Sequence, residues 1–239
     1  MSKQVLTIAH RGASGTCPEN TFASFREAVR LKVDMIETDI RLTKDLQPVL
    51  FHDTTLHRTT KGKGLLKKQT LEELRTLEAG SWFRPSFSNE KIPTLEKLLQ
   101  WASTRIGLFL EMKAKGEPKE KLVKAVLHAL KRHTSQKQRI ILGSGNPAIL
   151  KLLKGKTNRP LAYNFSKNPR KALLFAKEMG LAAIGPEKKI CTPELVQEAH
   201  AMGLLVLVWT VDSRKAMKHY VSIKVDGIMS NFPDQLTKI

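Results

Sequence analysis

Eight times along the chain a short, β-rich apolar run gives way to a stretch with amphipathic helical spacing, and this rhythm restricts the fold more than any other feature. The runs are Val5–His10, Met35–Arg41, Gly107–Lys113, Arg139–Ser144, Arg159–Asn164, Ala182–Pro186, Leu204–Thr210 and Val225–Asn231. Between them lie helical patterns near Thr21–Lys32, Thr94–Ser103, Lys119–Arg132, Pro147–Lys154, Pro169–Met179, Pro193–Met202 and Ser213–Tyr220, with a stub at the C-terminus. Strands that alternate with helices imply parallel βαβ units. Eight such units within 239 residues point to an α/β fold of the closed (β/α)8 TIM-barrel type rather than to an open doubly wound sheet.

The punctuation agrees. Thr21 and Thr94 are N-cap types, Pro147, Pro169 and Pro193 stand at helix entries, and Gly180 and Gly203 follow helix ends as left-handed caps do. No linker or low-complexity segment divides the chain, so residues 1–239 are expected to form one barrel domain. The exception to the βα rhythm is Asp53 to Lys91, too long for an ordinary loop and carrying its own helix signal at Thr70–Leu77. We read 53–91 as a small inserted subdomain on the barrel rim, after strand two.

Charge narrows the partners only partly. There are 41 Lys plus Arg against 22 Asp plus Glu, a formal net charge of +19. Such an excess suits a nucleic-acid partner, an anionic membrane surface, or a field that gathers anionic substrates. The basic residues are dispersed, with only local clusters such as Lys61, Lys63, Lys67 and Lys68, and no block of like charge marks a binding tail. The longest apolar run, Leu204 to Trp209, is far shorter than the ~20 residues of a membrane-spanning helix. Residues 1–8 read as a strand pattern rather than a secretory apolar segment, so a cytoplasmic location is expected. Cys17 and Cys191 lack the spacing of a zinc site and are too few for a disulfide framework, so free thiols are expected.

Strand ends carry the chemistry in a barrel of this kind, because the C-terminal ends of the strands converge on one face. The first strand closes on His10-Arg11-Gly12. The second carries Glu37 and Asp39, two apart and therefore on one side, and the third ends in Glu111 and Lys113, again two apart. After the second strand, a turn at Thr43-Lys44-Asp45 leads into a return strand, Pro48 to Phe51, that brings His52-Asp53 back beside the carboxylates. Glu37, Asp39 and Glu111 make an oxygen-rich set suited to one hard divalent cation, Mg²⁺ or Ca²⁺. His10 and His52 beside such a cation suggest general acid and base chemistry, and Arg11 suits a bidentate bridge to phosphate. Each has an ordinary structural explanation when taken alone, Glu37 and Asp39 pairing with Arg41 for instance. Together they suit attack on a phosphodiester.

His10-Arg11-Gly12 with Pro18-Glu19-Asn20-Thr21, Ile36-Glu37-Thr38-Asp39, Thr43-Lys44-Asp45, His52-Asp53, Arg58-Thr59-Thr60, Ile92-Pro93-Thr94-Leu95 and Glu111-Met112-Lys113 resemble the glycerophosphodiester phosphodiesterase family. Val208-Trp209-Thr210 and Asp226-Gly227-Ile228 are similar to its last strands, and Ala79 to Phe83 to its bacterial cytoplasmic branch. The resemblance implies a (β/α)8 barrel with a small insertion. It implies metal ligands at Glu37, Asp39 and Glu111, catalytic histidines at His10 and His52, and substrate contacts from Arg11 and Lys113. Trp209 matches an aromatic at the barrel mouth, where it either packs on the glycerol or belongs to the barrel core.

Some positions depart from the family pattern. Lys32 and Leu46 stand where turns usually have Gly, and Gly143-Ser144-Gly145-Asn146 replaces a commoner Ser-Phe. The expected reaction is metal-dependent hydrolysis to sn-glycerol 3-phosphate and an alcohol, either by direct attack of water or through a cyclic phosphate formed by the glycerol 2-hydroxyl. The alternatives are a lysophospholipase D and an inactive basic barrel that binds nucleic acid or anionic membrane. The intact ligand and histidine set favours a small anionic glycerophosphodiester as partner, with no nucleic acid and no transmembrane segment. The insertion, rich in Lys and poor in large apolar residues, favours deacylated substrates over lysolipids.

Overall fold

The alternation closes on itself. A computed structural model describes residues 5–103, 106–134, 138–237 and 239. Its strands are β1 (Leu6–His10), β2 (Met35–Leu42), β3 (Pro48–Leu50), β4 (Gly107–Met112), β5 (Ile140–Ser144), β6 (Leu161–Phe165), β7 (Ala183–Pro186), β8 (Leu205–Val208) and β9 (Gly227–Ser230). Eight of them run parallel in the order β1-β2-β4-β5-β6-β7-β8-β9, and β9 pairs back on β1, which closes a (β/α)8 barrel. The remaining strand, β3, returns antiparallel along the end of β2, with Ile40 opposite Leu50 and Leu42 opposite Pro48.

The helices on the outside are α1 (Phe22–Arg30), α3 (Leu95–Ala102), α4 (Lys119–His133), α5 (Pro147–Leu153), α6 (Pro169–Met179), α7 (Pro193–Ala201) and α8 (Arg214–Ser222), with short α2 (Leu71–Thr76) in the insertion and α9 (Pro233–Leu236) at the end. Side chains alternate across each strand. One set, including Ile36, Leu108, Leu142, Val206 and Ile228, packs outward against Phe25, Leu98, Val126 and Leu173 of the helices. The other points inward, where Ile8, Met35, Phe109, Ala162, Ala183, Leu207 and Met229 fill the barrel. That plug is a packed layer rather than a pore, so chemistry is confined to the layer above it.

The caps behave as the sequence suggests. Thr21, Thr94 and Thr192 accept first-turn N–H groups, and Gly180 closes α6 at φ 64°. Lys32 and Leu46, which replace turn glycines, adopt the left-handed angles all the same, φ 57° and 61°. Each costs on the order of 1 kcal/mol in backbone strain.

Val49 of β3 and residues between β3 and α3 build a small core of their own, Val49 with Phe51, Leu56, Leu66, Leu74, Ala79 and Ile92. Thr70 and Glu73 form a reciprocal capping box at α2. Glu90 ties this rim to the barrel by accepting from the Ala23 N–H (3.1 Å) and from Arg26 (2.7 Å). Among the described residues, no helix is long and apolar enough to cross a membrane.

Candidate active site

Two residues beyond the plug, each strand presents its next inward side chain. That layer reads His10, Glu37, Glu111, Gly143, Asn164, Gly185, Trp209 and Asn231 around the barrel. It is lopsided. The ends of β1, β2 and β4 carry charge and imidazole, whereas β5, β6 and β7 carry glycine and an amide.

On the charged side, Glu37 and Asp39 are each 1% exposed, and one oxygen from each lies within 4.8 Å of the other and of a Glu111 oxygen. Glu37 Oε2 accepts from the Arg11 backbone N–H at 2.8 Å, while Oε1 is buried without a partner. Burial, and then the neighbouring Asp39 and Glu111 carboxylates, push the Glu37 carboxyl well above its ordinary pKa. Burial acts the same way on Asp39, but Lys113 and Arg11 outweigh it and hold that carboxyl below its ordinary range. Lys113 Nζ bridges Asp39 (3.2 Å) and Glu111 (3.0 Å). Desolvation disfavours that ammonium, yet the two carboxylates more than offset it and raise its pKa. Glu37 thus has one buried oxygen with no donor, and its carboxyl is one of three whose oxygens gather within 4.8 Å. An all-oxygen set of this kind fits a hard divalent ion. Glu37, Asp39 and Glu111 could hold such an ion.

Arg11 occupies a left-handed conformation, φ 58°. Its carbonyl accepts from the Asn20 N–H and the Ser24 hydroxyl, both at 3.0 Å, which fixes the turn. The guanidinium then lies with Nε 3.3 Å from Asp39 and Nη1 2.9 Å from Glu19.

The two histidines are held by different devices. His10 Nδ1 lies 2.7 Å from Asn231 Oδ1. Asn231 Nδ2 donates to the Asp212 carboxylate at 2.8 Å, so Oδ1 is necessarily the end turned toward His10. Nδ1 therefore carries the proton and Nε2 presents a lone pair, 3.9 Å from Glu37. Burial, followed by the Arg11 charge, lowers the His10 pKa to about 4, so the ring is neutral at pH 7. His52 follows β3, whose register is set in part by the Phe51 N–H donating to Asp39 O at 3.0 Å. Its Nδ1 lies 2.6 Å from Asp53 Oδ1, which can only accept, so Nε2 is again the free nitrogen. Burial would raise the Asp53 carboxyl, but hydrogen bonds from Arg58 and His52 bring it down to about 2.

Several of these partners lie outside the set singled out from the sequence as site residues. Arg58 bridges Asp53 (2.6 Å) and Glu19 (2.8 Å), so a continuous chain of ion pairs links His52 to Arg11. Asn20 donates to Asp39 at 3.0 Å. Arg41 does not pair with Glu37 or Asp39. It binds the buried Glu117, and its Nε donates to the His52 carbonyl at 2.7 Å. Asn231 was within reach of the strand-end rule, since it closes the last apolar run. Asp53, Arg58 and Glu19 had a motif but no periodicity to mark their roles.

On the uncharged side the small residues leave space. A cavity of about 510 Å³ extends from Glu111 and Trp209 past Gly145 and Asn164 to the start of α6. Trp209 is half-buried, packs on the plug, and donates through Nε1 to Gly185 O at 2.7 Å. It is thus both a fixed part of the barrel core and a wall of the cavity.

Comparison with known proteins gives a consistent result. Residues 10–235 match the model of the glycerophosphoryl diester phosphodiesterase family. The Bacillus subtilis (strain 168) protein YhdW is 35% identical over 247 residues, covering 97% of this chain and 96% of its own. A glycerophosphodiester phosphodiesterase of Caldanaerobacter subterraneus is 33% identical over 242 residues, covering 99% and 98%. The solved structure of an Oleispira antarctica phosphodiesterase, in complex with the product sn-glycerol-3-phosphate, is similar with a TM-score of 0.94 and 31% identity, covering 98% of this chain and 95% of that one. A barrel with the inward carboxylates and histidines described above, matched over nearly its whole length, belongs to the glycerophosphoryl diester phosphodiesterase family.

Proposed function

We propose that the barrel hydrolyses water-soluble glycerophosphodiesters to sn-glycerol 3-phosphate and an alcohol, with Glu37, Asp39 and Glu111 holding one divalent cation and His10 and His52 exchanging the protons. The observation that carries this reading is the buried, unpartnered Glu37 oxygen beside Asp39 and Glu111, flanked by Arg11 and by a His10 whose tautomer is fixed. The product bound in the Oleispira relative supports the choice of substrate class.

A bound cation would neutralise the carboxylates and polarise the phosphoryl oxygens. Oxygens on one coordination shell lie at most about 4.2 Å apart around Mg²⁺ and about 5.2 Å around Ca²⁺. The three oxygens, all within 4.8 Å of one another, are close enough for one hard divalent cation, Mg²⁺ or Ca²⁺, to draw them into a single shell.

Arg11 and Lys113 supply positive charge to the phosphate, and Trp209 supplies an apolar wall to one of its two alcohols. His10 Nε2 takes a proton from the attacking hydroxyl. The phosphorus to alcohol-oxygen bond breaks, and the departing oxygen receives a proton from Nε2 of a His52 that enters the step as the imidazolium, its charge balanced by Asp53 at Nδ1. A single in-line step thus exchanges one P–O bond for another, whether water or the glycerol 2-hydroxyl attacks first.

The reading places the enzyme in the cytoplasm, and cell fractionation tests that location. The decisive assay is turnover of glycerophosphocholine, lysophosphatidylcholine and bis(p-nitrophenyl) phosphate with Mg²⁺, Ca²⁺ or EDTA. Turnover of the first, abolished by chelation, is expected. Full activity after exhaustive chelation would remove the cation from the mechanism. A higher kcat/KM on the lysolipid would make the enzyme a lysophospholipase D.

A further inference from the structure

The lopsided mouth of the barrel has a second consequence, which rests on the hydrolase reading. Phosphate chemistry fills the β1, β2 and β4 side, so one alcohol of the diester must extend toward the cavity over β5 and β6. At about 510 Å³ that cavity falls within the ~300–1,000 Å³ range of small-molecule sites. Such room exceeds what a bare glycerol needs.

Of the glycines on this side of the barrel, Gly145 lines the cavity, and Gly143 and Gly185 are packed against their neighbours. A Cβ on Gly143 would lie 2.4 Å from the Phe109 ring, and one on Gly185 would lie 2.1 Å from Asn164 Oδ1. Neither position can carry a side chain into the mouth without displacing its neighbour.

The charges around this space are unequal. Glu111 is the acidic residue in its lining, and it is committed to the carboxylate set. Lys167, in the loop after β6, and Lys171, in the first turn of α6, also line the cavity and are exposed. No ion pair among the described residues engages either of them. Both the lysines and the positive end of the α6 dipole favour an anion. Asn164, 6% exposed, lines the same space, and its Oδ1 has no partner, so it can accept from a hydroxyl or ammonium group.

We propose that this cavity receives the departing alcohol and that Lys167 and Lys171 select alcohols bearing an anionic group of their own, a carboxylate or a further phosphate, over neutral or cationic ones.

Glycerophosphoserine and glycerophosphoethanolamine test this directly, because they differ by one carboxylate. The wild-type enzyme, with its activating cation, should show a kcat/KM ratio favouring the serine form by about tenfold, equivalent to ~1.4 kcal/mol, which two partly solvated Lys contacts supply. The double substitution Lys167→Gln with Lys171→Gln should bring that ratio close to one, and so should 0.5 M salt in the wild type. A control pair of equal charge loss, Lys121→Gln with Lys177→Gln on exposed faces of α4 and α6, should keep the wild-type ratio. A wild-type ratio near one, or a ratio that survives the Lys167 and Lys171 substitutions, would overturn the inference and leave the hydrolase reading intact. Absence of turnover on both diesters with Mg²⁺ and with Ca²⁺ would overturn the hydrolase reading and this inference with it.

Discussion

Glu37 is the residue at which stability and metal binding pull in opposite directions, and Glu37→Gln separates them. Without a cation, its Oε1 is buried with no donor, and its carboxyl is grouped with those of Asp39 and Glu111. An unsatisfied buried polar atom costs ~1–3 kcal/mol. The amide keeps an oxygen for the Arg11 N–H, replaces the undonated oxygen with an NH₂ that can donate to a carboxylate, and removes the charge that Asp39 and Glu111 repel, so it relieves both the missing bond and the repulsion. For a chain of this size 1 kcal/mol moves Tm by ~2–4 °C, so the variant should melt about 2–12 °C above the wild type in EDTA. With cation the order reverses. At a hundred times Kd a ligand stabilises by ~2.7 kcal/mol, about 5–11 °C for the wild type, whereas the variant lacks one anionic ligand and should gain little. The pH dependence follows from the sign of the shift. A carboxyl whose folded pKa is raised favours the folded state while protonated and loses that contribution as pH rises through the folded value. The gap between variant and wild type in EDTA should therefore widen from acid toward neutral pH. Differential scanning calorimetry with EDTA, Mg²⁺ and Ca²⁺ at several pH values measures all of this. A variant that melts below the wild type in EDTA, or that gains as much Tm from the cation, would refute the reasoning.

Other outcomes follow from the same geometry. His10→Ala and His52→Ala should each lower kcat by on the order of 10²–10⁴, as loss of a general acid or base does; either variant retaining more than about a tenth of the rate would exclude that role for its residue. Asp53, held at about 2 by Arg58 and His52, contributes stability above its unfolded pKa of ~3.9, and that contribution disappears as pH falls toward 2. Asp53→Asn should therefore be less stable than wild type in urea at pH 7 and equal to it near pH 2, and an equal deficit at both would be the wrong result. Gly185→Ala places a methyl 2.1 Å from Asn164 Oδ1 and should cost ~1–3 kcal/mol through overpacking. Gly145→Ala meets Asn164 O only at 3.4 Å and should be nearly neutral, so equal urea midpoints for the two variants would contradict the packing described.

The barrel was legible because its signals are local and repeated. Every βα unit carries the same apolar run, cap and turn, and errors at single boundaries, such as Arg139 and Arg159 lying just outside β5 and β6, do not alter the count. The inward carboxylates were legible for a related reason. A charge that closes an apolar strand at even spacing from its plug residue must point into the barrel, as Glu37 does from Met35 and Glu111 from Phe109. The partners that orient them sit on loops, where no period assigns a direction. Arg41 shows the limit: it shares spacing with Glu37 and Asp39, yet binds Glu117 from the loop after β4, seventy-six residues away in sequence. Nothing in a single sequence specifies that separation.

The same contrast explains how one rigid scaffold can combine a fixed reaction with an adjustable substrate. The phosphate side is overdetermined. Asn20, Arg11, Lys113 and Asn231 each bond a residue of the carboxylate and histidine set, so a change at one disturbs several and the local field with it. The alcohol side is sparsely built: Gly145, the amides of Asn164 and Asn168, and two lysines that hang from a loop and a first helical turn. Substitutions at Lys167 or Lys171 touch neither the plug nor the carboxylates, so they should alter headgroup preference without altering Tm. If the Lys167→Gln with Lys171→Gln protein instead lost several degrees in Tm, those lysines would be part of the packing, and the separation of chemistry from specificity at this barrel mouth would fail.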